Sequence, residues 1–137
     1  MIDLIAMLEA IRIYAKDCHY AFRGASDFIQ NHKWVDDISE PMADYIDEIK
    51  ESILACHGTE IPRGVEINTR AQQYVPQDLP YDDNTRLLRN LRALIIMTVA
   101  RIDELAKNAS AGDSDILGRI GSFLQKQAGL LTLAVGE

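Results

Sequence analysis

The sequence has no long uninterrupted apolar run, and it lacks the marks of a secreted chain. Of its 137 residues 47% are hydrophobic, yet no run approaches the roughly 18 residues that a membrane span requires. The first residues, Met-Ile-Asp-Leu, lack the charged start and the cleavage site of a signal peptide, so we expect a cytoplasmic protein. Cysteine is scarce too. Cys18 and Cys56 both lie in helical patterns, which predicts two buried, reduced thiols.

Basic residues are in the minority. The chain has 14 Lys and Arg against 21 Asp and Glu, and its formal net charge is −7. This balance argues against a broad nucleic-acid surface, which requires clustered basic side chains. It suits a protein that gathers cations, and it equally suits a surface that is acidic only for solubility.

Several common catalytic motifs are missing from the sequence. It contains no Cys-x-x-Cys pair, no phosphate-binding glycine loop and no Gly-x-Ser-x-Gly turn. It also lacks the Glu-x-x-His pairs from which the usual ferritin-like di-iron site is built within one chain. His57 stands beside Gly58 at a predicted helix end, where we expect it to interact with the last helical carbonyl groups.

Apolar residues recur at helical spacing along most of the chain, and no strand pattern appears. The pattern predicts four long helices over 2–23, 28–57, 83–108 and about 113–135. Ser26 or Asp27 is expected to cap the second helix, and Asp113 or Ser114 the fourth. Pro41 should kink the second helix because it removes a backbone hydrogen bond.

The segment between the second and third helices is long and contains three of the four prolines. We interpret residues 58–82 as a crossover that returns the chain to the other end of a bundle, with a short helix near 68–74. Two antiparallel hairpins joined by such a crossover make an all-α, ferritin-like four-helix bundle, and residues 1–137 form one domain.

Potential metal ligands follow the edge of the apolar stripe on the second helix. His32, Asp36, Asp47 and Glu51 share an arc of about 100°, but His32 and Glu51 are roughly 28 Å apart along the helix axis. The four are placed symmetrically about a point between Pro41 and Met42. A second copy laid antiparallel across a two-fold axis at that point therefore brings His32 level with Glu51 of the partner, and Asp36 level with its Asp47.

A further histidine lies on the first helix. His19 and His32 are equally distant from a turn centred between Ala25 and Ser26, so both imidazoles are expected at the same level of the hairpin.

These residues also carry a family resemblance. His19-Tyr20-Ala21-Phe22-Arg23-Gly24-Ala25, then Phe28-Ile29-x-x-His32, Asp36 and Asp47-x-x-x-Glu51 resemble the Dps-type mini-ferritins, named as DNA-binding proteins from starved cells. The last helix, from Gly112-Asp113-x-Asp115-Ile116-Leu117 through Phe123-Leu124-Gln125-Lys126-Gln127 to Leu130-Leu131, is similar to the family as well. The resemblance covers most of the chain.

The resemblance implies iron storage and detoxification. It implies a ferroxidase site between two subunits, with His19, His32 and Asp36 from one and Asp47 and Glu51 from the other. It also implies a hollow homo-dodecamer that oxidises Fe²⁺, preferably with hydrogen peroxide, and holds the ferric mineral inside. Iron is then the metal, and zinc a possible surrogate. Asp113 and Asp115 are candidates for a negatively charged pore for iron, although simple helix caps are an alternative reading.

The chain departs from the family pattern at several points. The two histidines are one residue further apart, and Pro41 is foreign to the pattern. Tyr20 replaces a common Trp, for which Trp34 is expected to supply an indole nearby. No Lys-rich tail is present, so we expect no DNA binding. The alternative function is a non-enzymatic ferritin-like bundle with a degenerate site, acting in assembly or partner binding; a nucleoid protein is disfavoured by the charge.

Overall fold

The computed structural model describes residues 1–24 and 26–136, and the regular structure within them is entirely helical. Its elements are α1 (Ile2–Ala21), α2 (Phe28–Ser39), α3 (Pro41–Ser52), a π-helical turn (Ile53–His57), α4 (Gly64–Ala71), α5 (Asn84–Ala106) and α6 (Ala111–Val135). Ala25, at the centre of the predicted first turn, lies outside the described residues. Within these ranges, no helix combines the length and the apolar character needed to cross a membrane.

Helix α1 lies at the centre of the packing. Leu4, Leu8 and Ile11 share one face of α1 and are fully buried, and Ile5, Ala6 and Ala10 on its other sides are buried as well. The contacts of α1 with α2, α3, α4 and α5 explain this burial on several sides. Helices α5 and α6 pack along each other, and α6 closes against α3. The predicted four-helix bundle is confirmed.

The second long helix is built from α2, α3 and the π-helical turn. Glu40, between α2 and α3, keeps helical dihedral angles (φ −59°, ψ −43°), and its N–H donates to the carbonyl oxygen of Asp36 at 2.9 Å. Pro41 begins α3, a position where its missing N–H and fixed φ are tolerated. The chain thus keeps a helical conformation from α2 through Glu40 into α3 and the π-helical turn, as the sequence predicted. The kink expected at Pro41 stays a prediction.

The predicted apolar stripe of this helix faces the core, except at its end. Its buried members are Val35, Ser39, Met42, Ile46, Ile49 and Ile53. Cys56 was expected to follow them, but it is exposed, whereas Cys18 is buried. The π-helical turn accounts for this error, because it holds about one residue more than an α-helical turn and the four-and-three spacing then no longer returns to the core.

The crossover contains α4, which begins about one turn earlier than predicted, directly after an extended Arg63. Ile67 and Ala71 are its buried residues, and α4 contacts α1. The far end of the crossover is fastened by Tyr14. Its hydroxyl donates to the carbonyl oxygen of Asp78 at 2.7 Å and accepts from the side-chain amide of Asn90 at 3.0 Å.

The beginning of α6 differs from the prediction. Neither Asp113 nor Ser114 is the cap. Ser110 precedes the helix, and its hydroxyl accepts from the backbone N–H of Asp113 at 3.3 Å. Asp27 precedes α2 as predicted, but without a side-chain bond to the helix backbone; it accepts from the side-chain amide of Asn31 at 3.1 Å.

Candidate metal site

The two predicted histidine ligands lie together where α1 and α2 meet. The rings of His19 and His32 are stacked, with 3.4 Å between their centroids and 21° between their planes. The hairpin spacing predicted that the two would be level, and the structure confirms this.

Each imidazole is held by the backbone of the other residue. Nδ1 of His19 lies 2.6 Å from the carbonyl oxygen of His32, and Nδ1 of His32 lies 2.7 Å from the carbonyl oxygen of His19. A carbonyl oxygen only accepts, so both Nδ1 atoms must carry hydrogen. In the neutral rings the lone pair is then on Nε2. Fixing the tautomer through one ring nitrogen, with the other presented to the ion, is how metal-binding histidines are usually oriented.

Aromatic rings surround this pair. Phe28 stacks on His32 at 5.2 Å between centroids, and Tyr20 meets His19 edge-on at 4.9 Å. Trp34 does not supply an indole here, contrary to expectation. Its Nε1 donates to the side chain of Gln127 on α6 at 2.9 Å, because a residue two positions after His32 lies about 200° around the helix from it.

Asp36, one turn after His32, is already paired with a cation. Nζ of Lys16 on α1 lies 2.5 Å from its carboxylate, and this hydrogen bond lowers the pKa of Asp36 more than partial burial raises it. Sequence reasoning missed Lys16, although the signal was present. His19 and His32 are equally far from the turn of the hairpin and therefore lie opposite each other. Lys16 and Val35, the neighbour of Asp36, are also equally far from that turn.

Asp47 and Glu51 lie on the exposed surface of α3, away from the histidine pair. Within residues 1–24 and 26–136, no group of three or more His, Cys, Asp or Glu side chains is close enough to hold a metal ion. In a single copy, His19 and His32 are therefore stacked on each other, while Asp36 is paired with Lys16. The carboxylates of Asp47 and Glu51 lie apart from these residues.

The two predicted pore acids have partners within the chain. The Asp113 side chain is 9% exposed. It accepts from the hydroxyl of Ser52 at 2.7 Å and pairs with Nε2 of His57 at 2.8 Å; the Ser52 hydrogen bond is the largest cause of its lowered pKa. The expectation that His57 serves the helix-end carbonyl groups is therefore wrong. Asp115 is exposed and pairs with Arg119.

Comparison with known proteins shows a similarity of fold to a solved structure. No protein-family model matches the sequence, and no curated protein matches it either. The structure of Dps from Microbacterium arborescens in the high iron form superposes with a TM-score of 0.74, covering 99% of this chain and 90% of that one. The chain has a Dps-type, ferritin-like fold. At 23% sequence identity, the relation to that Dps structure is one of fold.

Proposed function

We propose that this protein oxidises Fe²⁺ and stores the ferric product inside a hollow homo-oligomer, with the oxidation site shared between two copies. The observation that carries the proposal is the histidine pair. His19 and His32 are stacked, and both are fixed by backbone carbonyl groups in the tautomer that leaves Nε2 with a lone pair. The iron content stated for the similar Dps structure supports iron as the metal.

The second copy supplies the missing carboxylates. A two-fold axis between Pro41 and Met42 brings Asp47 and Glu51 of the partner subunit to the levels of Asp36 and His32. Since the two ends of the helix are related by this axis, each pair of copies forms two identical sites. The continuous course of the helix through Glu40 and Pro41 supports this arrangement, because it keeps the two halves in one helical register.

The proposed ligand set fits the chemistry. Imidazole nitrogens bind Fe²⁺ well, and carboxylate oxygens stabilise the harder Fe³⁺. Two Fe²⁺ ions give up one electron each, and hydrogen peroxide takes up both electrons with two protons to give two water molecules. Few protein ligands leave open positions for the oxidant. Lys16 is paired with Asp36, so its ammonium group must move away for Asp36 to bind iron.

The pore predicted from Asp113 and Asp115 stays a prediction. Asp115 is exposed and can face a passing ion. Asp113 has its carboxylate directed to Ser52 and His57, which suits a structural role at the start of α6 better than a role in a pore.

The test compares peroxide-driven oxidation of Fe²⁺ by the wild type and by the combined Asp47→Ala and Glu51→Ala variant. We expect the wild type to give a soluble ferric core and the variant to oxidise iron at the rate of buffer alone. Asp37→Ala with Asp44→Ala is the matched control, because both acids are exposed on the same helix but outside the arc of the site. Equal rates for wild type and the site variant would refute the proposal.

One observation favours the alternative of a non-enzymatic ferritin-like bundle that serves assembly or partner binding. Lys16 already neutralises Asp36, as expected where a site has lost its metal. In that case the wild type assembles but oxidises Fe²⁺ no faster than buffer does. DNA binding is not part of either function, since the net charge is −7, and a gel-shift assay checks this.

A further inference from the structure

A second stripe runs along the outer side of the helix built from α2, α3 and the π-helical turn. Its members alternate at spacings of four and three residues, as in a coiled-coil seam. They are Ile29, Lys33, Asp36, Glu40, Ala43, Asp47, Lys50 and Leu54. All eight are exposed or half-buried in the single chain. We call them the outer seam.

The outer seam has apolar ends and a charged middle. Ile29 is 77% exposed and Leu54 is 63% exposed, and both are large aliphatic side chains. They stand equally far from the point between Pro41 and Met42, the same point that relates the candidate metal ligands. Single exposed aliphatic residues are common on protein surfaces. Two of them at symmetric ends of one heptad stripe indicate a contact between identical helices.

We infer that Ile29 and Leu54 are the apolar anchors of a two-fold interface between copies of this chain, with Ile29 packed on Leu54 of the partner subunit at both ends of the outer seam. The inference rests on the two-fold pairing of the proposed function and names the contacts that hold it together. Since the interface is isologous, each contact occurs twice.

The direction of pairing follows from the residues between the anchors. In a parallel pair, His32 would stand against a second His32 and Glu51 against a second Glu51. In the antiparallel pair, His32 stands beside Glu51 of the partner subunit, where the two groups share an ion or attract each other directly. Antiparallel pairing is therefore the favourable arrangement of these side chains.

The charged middle makes the apolar ends necessary. Antiparallel pairing sets Asp36 against Asp47 of the partner subunit, and two facing carboxylates repel each other unless a cation lies between them. Lys33 is set against Lys50 of the partner subunit in the same way, about one helical turn from the carboxylates. Each pair of like charges is thus next to a pair of the opposite charge, which relieves part of the repulsion in both. Without metal, the middle of the seam thus contributes little, and the anchors must supply the affinity.

The test measures assembly in metal-free buffer by sedimentation over a series of protein concentrations. The variants are Ile29→Glu, Leu54→Lys and the two combined. Each single variant introduces a charge into both ends of the interface, and we expect pairing to weaken by about a hundredfold. The combined variant carries opposite charges at positions that meet, so we expect recovery to within about tenfold of the wild type.

Leu133→Glu is the matched control, because Leu133 is 77% exposed on α6, outside the outer seam, and this variant should assemble as the wild type does. Circular dichroism confirms that each variant keeps its helices. The inference is overturned if the wild type does not pair, if the single variants pair normally, or if the combined variant is no better than either alone. Pairing through these anchors without iron oxidation would refute the proposed function instead, and leave the interface standing.

Discussion

Replacing Asp113 by Ala tests the contact that joins the end of the second long helix to the start of α6. The carboxylate accepts from Ser52 at 2.7 Å and from His57 at 2.8 Å, and it lies in the first turn of α6. The hydrogen bond from Ser52 to a charged acceptor contributes about 1.5 kcal/mol, and the half-exposed His57 contact about 1 kcal/mol after solvent screening. Placement at the helix N-terminus adds about 0.5 kcal/mol.

We therefore expect Asp113→Ala to lower the free energy of unfolding by about 3 kcal/mol near neutral pH. Chemical denaturation at two protein concentrations measures it, since a loss that depends on concentration reports assembly and not the chain. Asp115→Ala is the matched control. Asp115 lies two residues further along α6 and pairs with Arg119 at the exposed surface, so its loss should lower the free energy of unfolding far less than the loss of Asp113 does.

The effect should also depend on pH. Ser52 and His57 lower the pKa of Asp113 in the folded chain, so the folded state favours the ionised carboxylate more than the unfolded state does. This contribution is complete above the ordinary carboxyl pKa of about 4 and is lost as the pH falls through the lowered value. The wild type and Asp113→Ala should converge in stability below that pH. A difference of less than about 1 kcal/mol near neutral pH, or one that persists as the pH falls well below about 4, would refute this reasoning.

Two further predictions concern the inside of the bundle. Tyr14→Phe removes the hydroxyl that binds Asp78 and Asn90 and should cost about 1–2 kcal/mol in urea unfolding; an unchanged midpoint would contradict the role given to Tyr14 in fastening the crossover. Burial raises the pKa of Cys18 to about 12, whereas Cys56 is exposed. Alkylation of the folded protein, read by mass spectrometry, should modify one thiol per chain near neutral pH and two in denaturant, and two modifications without denaturant would show that Cys18 is accessible.

Most of the fold was predictable because helical periodicity is a local property of the sequence. Helix ends and turns were less so. The capping role of Ser110 was missed although Ser110-Ala111-Gly112-Asp113 has the spacing of a serine cap followed by an acidic residue in the first turn. The exposure of Cys56 could not be predicted, because the spacing of apolar residues around it does not distinguish a π-helical turn from an α-helical one.

The candidate site shows the same division between local and distant contacts. The level placement of His19 and His32 followed from their distances to a common turn, and the same symmetry would have revealed Lys16 beside Asp36. The partner of His57 was not accessible in this way. Asp113 lies 56 positions away along the chain, and only the packing of α6 against α3 brings the two together. Asp47 and Glu51 were assigned through symmetry between copies, which a single chain does not display.

The reciprocal hydrogen bonds between His19 and His32 have a consequence for how the site can fail. Each ring is oriented by a main-chain oxygen of the other residue, and every amino acid carries that oxygen. Replacing one histidine by alanine thus removes one imidazole but keeps the acceptor that orients the remaining ring. One imidazole can therefore be removed without disorganising the other. At the proposed metal site, binding strength could thus be lowered in single steps while the hairpin that presents the two rings keeps its shape.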